Sequence, residues 1–230
     1  YSLPLAISKL IAARRVHGKN QDVQRVFKAG LLFGLVAGGL MTTILLFGAD
    51  WITVHIFNSP NSALPLKVMA PTILVFSVMG VVRGYFQGLG NMVPTSISQV
   101  IEQVVNAVIS VAASFAFMHW FANRETPAAY GAAGGTLGTL SGALAAFVFL
   151  TLLMFVYRRQ NTKALRKPQA DRLESWSHVY TALFLTLTPI ILSQFVYQLS
   201  GSVDNSMFGF LMSGKGLTEK ERLSLLGIYG

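Results

Sequence analysis

MAPTILVFSVMGVVRGYFQGLGNMVPTSISQVIEQVVN, residues Met69 to Asn106, reads as two apolar helices joined by a tight turn. The first opens at Pro71, and glycines recur at every fourth residue toward its end, at Gly80, Gly84 and Gly88. The chain turns through Gly90 and Asn91, and a second apolar helix restarts after Pro94. Gln99, Glu102, Gln103, Asn106 and Ser110 follow on that helix in steps of three and four, which puts them on one face. A carboxylic acid inside a long apolar helix is expensive unless it faces a partner or a wet cavity. The spacing therefore predicts two closely packed membrane helices with a polar wall inside.

The same reading extends along the chain. Ala29 to Ala49, Thr126 to Tyr157 and Val179 to Val203 carry no charged residue, and a membrane span needs about 20 apolar residues. Several such runs in succession exclude an ordinary soluble domain, so the predicted fold class is an all-α, polytopic membrane helix bundle. The expected spans are Ala29–Ala49, Val68 to about Gly88, Pro94–Met118, about Ala128–Tyr157 and His178–Met212, the last with a kink at Pro189. Tyr1 to Leu10 reads as the end of one more helix. Ala13 to Lys28, with Val23, Val26 and Phe27 spaced as an apolar edge, reads either as an interfacial segment or as a solvated loop. Asn58-Ser59-Pro60 and Leu64-Pro65 mark turns.

A net charge of +9 would suit nucleic acid if the basic residues formed a stripe on a soluble domain. Here they cluster between apolar runs. Lys9, Arg14, Arg15, Lys19, Arg25 and Lys28 fall in the first loop, and Arg158, Arg159, Lys163, Arg166, Lys167 and Arg172 fall after the span that ends at Tyr157. Lys67, Arg124, Lys215, Lys220 and Arg222 lie on the other side. This asymmetry puts the two rich loops in the cytoplasm and Arg83 just inside the cytoplasmic boundary. Nucleic acid is not an expected partner.

Enzymatic constellations are missing from the sequence. Gly214-Lys215-Gly216 lacks the rest of a phosphate-binding loop, and His17, His55, His119 and His178 are scattered over separate boundary positions. With no cysteine either, no metal site or cofactor is expected. What remains is polar residues within spans. The candidates for a substrate path are Arg83, Gln87, Asn91, Gln99, Glu102, Gln103 and Asn106, with Gln194, Gln198 and Asp204 on the last span. Glu102 and Asp204 are read as functional because intramembrane acids usually mark a pathway. Pairing with cations of helices beyond this chain is the structural alternative, and interhelical hydrogen bonding is the alternative for the glutamines and Ser110. The glycine ladders Gly30, Gly34, Gly38, then Gly80, Gly84, Gly88, then Gly134, Gly138, Gly142 are read as helix-packing positions.

RGYFQGLGNMVPTSISQVIEQ, Arg83 to Gln103, resembles the signature hairpin of the polysaccharide-biosynthesis flippases in the MOP superfamily, and within them the SpoVB/YtgP branch, kin of the lipid II flippases. YSLPLAISKLIA, Tyr1 to Ala12, is similar to the end of the second membrane helix of that branch. The resemblance implies that the chain runs from the late second to the seventh helix of a longer, two-lobed transporter of the MATE-like fold. Residues 1–159 would be most of the N-terminal lobe, 160–177 a cytoplasmic inter-lobe loop, and 178–230 the opening of the C-terminal lobe. It also implies a non-enzymatic function. The protein would move an undecaprenyl-pyrophosphate-linked oligosaccharide, lipid II first among them, across the bacterial plasma membrane by alternating access. The implied partners are that lipid-linked substrate, membrane lipid and a coupling ion, H+ or Na+. The alternatives are a MATE-type multidrug cation antiporter and a non-transporting membrane scaffold for cell-wall enzymes.

Overall fold

The computed structural model describes residues 2–55, 63–122, 127–160 and 173–213, except for the side chains of 127, 128 and 201–213. Among the described residues every regular element is an α-helix: α1 (Ser2–Val16), α2 (Asn20–His55), α3 (Ala63–Gly88), α4 (Val93–Trp120), α5 (Pro127–Gln160) and α6 (Trp176–Ser213). Five of these, α2 to α6, are long and apolar enough to cross a membrane. The fold is therefore an all-α polytopic bundle. It divides into two compact units, Leu3–Phe184 and a second beginning at Leu185, so the boundary falls within α6. Asn58-Ser59-Pro60, Arg124 and the basic residues Lys163, Arg166, Lys167, Arg172, Lys215, Lys220 and Arg222 lie outside the described residues.

Three sequence expectations change. Ala13 to Lys28 is neither an interfacial segment nor a loop: α1 runs to Val16 and α2 begins at Asn20, with Gly18 turning the chain at φ +69°. Val23, Val26 and Phe27 are buried inside this corner. At 36 residues α2 is about 54 Å long, well beyond the hydrocarbon thickness, so its polar first turns stand outside the membrane. The helix expected to open at Pro71 opens at Ala63 instead, taking in the expected Leu64-Pro65 turn. Pro71 is accommodated inside it, as membrane helices allow when neighbours take up the local carbonyls. Beside it, the Thr42 hydroxyl of α2 donates to the Ala70 carbonyl at 3.1 Å.

The third change concerns the hairpin itself. α3 and α4 meet only over a short stretch, whereas each packs extensively on α5. The reason lies in the small residues. On α5, an added Cβ would reach 2.5 Å from the Ala113 carbonyl oxygen at Gly134 and 2.5 Å from the Glu102 carbonyl oxygen at Gly142. At Gly138 it would collide with Ser110. The α5 backbone thus lies directly against α4, closer than any side chain would permit. Gly84 and Gly88 of α3 are turned the other way, toward Pro4, Ile7 and Ile11 of α1, and Gly34 and Gly38 of α2 lie against Ser77 of α3. With its small residues committed to α1 and α2, α3 reaches α4 by side chains alone.

Candidate functional site

The turn between α3 and α4 fixes the site. Gly90 donates its N–H to the Gln87 carbonyl at 2.9 Å, and Asn91 donates to the Phe86 carbonyl at 3.0 Å. This pair of bonds closes the helix end and requires the residue between to adopt a left-handed backbone; Gly90 does so at φ +76°. The Asn91 side-chain oxygen then accepts the Val93 N–H at 3.1 Å, and Pro94 sits in the first turn of α4, where its missing N–H costs nothing.

Below the turn, side chains bridge the two helices rung by rung. Gln87 Nε2 lies 3.4 Å from Thr95 Oγ1. Arg83 Nε donates to Ser98 Oγ at 3.0 Å, and Ser98 in turn donates to the Thr95 carbonyl at 2.7 Å. At the deepest rung Arg83 Nη2 meets Glu102 Oε2 at 2.8 Å, with the two side chains only 11% and 13% exposed. The acid and the cation singled out in the sequence are thus partners of each other. The described bonds use Nε and Nη2 of the guanidinium and one carboxylate oxygen, so Arg83 Nη1 and Glu102 Oε1 stand outside them.

Further along α4 the polar stripe becomes a seam with α5. The Ser110 hydroxyl lies 2.8 Å from both the Asn106 side-chain oxygen and the Gly135 carbonyl, and Ser114 donates to the Gly131 carbonyl at 2.9 Å. Gln99 is half-buried and Gln103 exposed, and neither takes part in the Arg83 bridge. Gln194 and Gln198 are exposed on α6 beyond Phe184, in the second unit. The side chain of Asp204 lies outside the described residues. Sequence reasoning missed Thr95 and Ser98. Their signal was present, since Thr95, Ser98, Glu102 and Asn106 follow at three- and four-residue steps, one edge over from the stripe drawn through Gln99 and Gln103.

Beside the turn lies a cavity of about 110 Å³ lined by Phe86, Asn91, Pro94, Leu153, Val156, Tyr157 and Gln160. No group of three or more His, Asp or Glu side chains suited to a metal occurs among the described residues.

Residues 1–229 match the family of polysaccharide biosynthesis proteins. The chain belongs to that family. Among curated relatives from Bacillus subtilis (strain 168), it is 29% identical to stage V sporulation protein B over 200 residues, covering 87% of this chain and 37% of the relative. It is 26% identical to the lipid II flippase MurJ over 238 residues, covering 98% of this chain and 43% of the relative. A third relative, the uncharacterized membrane protein YabM, is 27% identical over 226 residues, covering 98% and 40%. The chain spans about two fifths of the length of these relatives. No solved structure matches it. Membership of the family, together with five membrane-length helices, makes this a multi-pass protein of the bacterial plasma membrane.

Proposed function

We propose that the protein moves an undecaprenyl-pyrophosphate-linked oligosaccharide, lipid II above all, across the plasma membrane by alternating access, and that Arg83 and Glu102 form a polar step on its path. The family match and the relative named as a lipid II flippase support the substrate class. The observation that carries the role of the two residues is their ion pair. A buried ion pair is poor value as a stabilising device, because well-packed apolar side chains of the same volume usually serve the fold as well or better. Within a membrane that argument sharpens, and a retained charge points to transport.

The chemistry fits an anionic head group. A pyrophosphate crossing about 30 Å of hydrocarbon needs guanidinium partners with fork geometry, and Arg83 supplies one. Glu102 holds that guanidinium in place and neutralises it between turnovers. The same pairing argues against a cation antiporter, since a carboxylate already met by a guanidinium at 2.8 Å has little to offer a cationic drug. A scaffold role leaves the pair without a reason.

The test is reconstitution of the full-length protein in vesicles containing lipid II, with an impermeant probe reporting its arrival at the far leaflet. The expected result is arrival many times faster than in protein-free vesicles, with no efflux of cationic dyes. Dye efflux without lipid II movement would establish the antiporter, and movement of neither would leave the scaffold.

A further inference from the structure

At the basic end of the bundle, one residue gathers contacts from three helices. Glu174, just before α6, receives Arg14 of α1 through Nε at 3.1 Å and Nη2 at 2.6 Å. Its backbone N–H donates to Asp22 of α2 at 3.1 Å, and its carbonyl accepts from Arg25 of α2. His178, in the first turn of α6, lies 3.3 Å from the same carboxylate oxygen. Arg25 also lies over the Trp176 ring, 5.3 Å from its centroid. Side chain, N–H and C=O of a single residue are therefore all held by the corner between α1 and α2.

We propose that Glu174 is a releasable latch, fastening the cytoplasmic start of α6 to the α1–α2 corner in one conformation and letting it go in another. The proposal rests on the alternating-access reading above. Two observations carry it. First, the apolar contacts of the same helix, with Val179 and Leu183 buried and Phe184 edge-on to Phe33, are of a kind that gains little in a membrane, where lipid is as apolar as the side chains. The directional bonds at this end of α6 are those of the charged cluster. Second, that cluster meets water. The Glu174 side chain is 18% exposed and His178 66% exposed, so water can take over their bonds on release. Arg14 keeps a partner when Glu174 leaves, because its Nη1 donates to the Leu10 carbonyl at 3.0 Å. The glycine seams have no such alternative: separating α1 from Gly84 and Gly88 strips backbone from backbone.

The experiment is a pulsed-EPR distance measurement on full-length protein in lipid vesicles, freed of any other cysteine and spin-labelled at Arg15→Cys on α1 and Ser177→Cys on α6. Two distance populations are expected, separated by about 5 Å, the scale of a helix shift of one turn. Glu174→Gln, which keeps both backbone contacts and removes only the charge, shifts the balance toward the longer distance. Arg14→Lys, which loses the fork, gives the same shift should Glu174→Gln fail to fold. One distance unchanged by either substitution overturns the latch and leaves the lipid II reading standing. Two distances in a protein that moves no lipid II leave the latch standing and remove that reading.

Discussion

Glu102 of α4 meets Arg83 of α3 at 2.8 Å, the deepest rung of a hairpin whose two helices meet only over a short stretch. Arg83 spans the gap because α5 has wedged its glycine face against α4, and Ser98 holds the guanidinium from the side. Removing one partner leaves an uncompensated charge among apolar helices. Glu102→Ala or Arg83→Ala alone should therefore lower stability by roughly 3–5 kcal/mol. Denaturant unfolding in detergent, with the double variant included, checks this. The double variant should lose less than the sum of the singles, because the two losses share one interaction.

Gly142 controls how near α5 comes to the carbonyl of Glu102, with 2.5 Å left for an added Cβ. Gly142→Ala forces the helices apart and should cost about 1–3 kcal/mol, the usual scale of overpacking. Gly39, in α2, has nothing within 4 Å of an added Cβ. Gly39→Ala should leave stability unchanged or raise it by about 0.5–1 kcal/mol through helix propensity. Thermal unfolding of the two variants side by side decides the matter, and equal midpoints would refute the close seam.

Gly90 is held at φ +76° by the bonds that end α3. A residue with a Cβ is strained there by about 1–2 kcal/mol. Gly90→Ala should lower the unfolding midpoint, while Gly90→Asn, better suited to the left-handed region, should recover part of the loss.

Much of this arrangement was legible in the sequence. Charge-free runs gave the spans, Gly90-Asn91 gave the turn, and the isolated charge of Glu102 flagged the site. Its partner was not legible. Arg83 and Glu102 lie 19 residues apart on two helices, and nothing in a helical period says how far a hairpin splays. The splay follows from which glycines face which neighbour, and a four-residue ladder looks the same whichever helix it meets. Ser98 was passed over because it lies one edge over from the stripe drawn through Gln99 and Gln103. The Arg14–Glu174 contact spans 160 residues and carries no local signal at all.

Orientation follows from the basic loops. On that rule His55, at the end of α2, is expected outside the cell, and Gln160, at the end of α5, inside. The chain has no cysteine of its own. In full-length protein with no other cysteine, His55→Cys should react with an impermeant thiol reagent on intact cells. Gln160→Cys should react only after permeabilisation; the reverse pattern would invert the topology.

If the ion pair serves transport and not the fold, Arg83→Met with Glu102→Leu in the full-length protein separates the two roles. Apolar side chains of similar volume replace both charges, so the unfolding midpoint should match or exceed that of the wild type. Lipid II arrival at the far leaflet should fall about 10- to 100-fold, the loss of one charge-assisted contact worth roughly 1.5–3 kcal/mol. A stable double variant that moves lipid II at the wild-type rate would contradict the account.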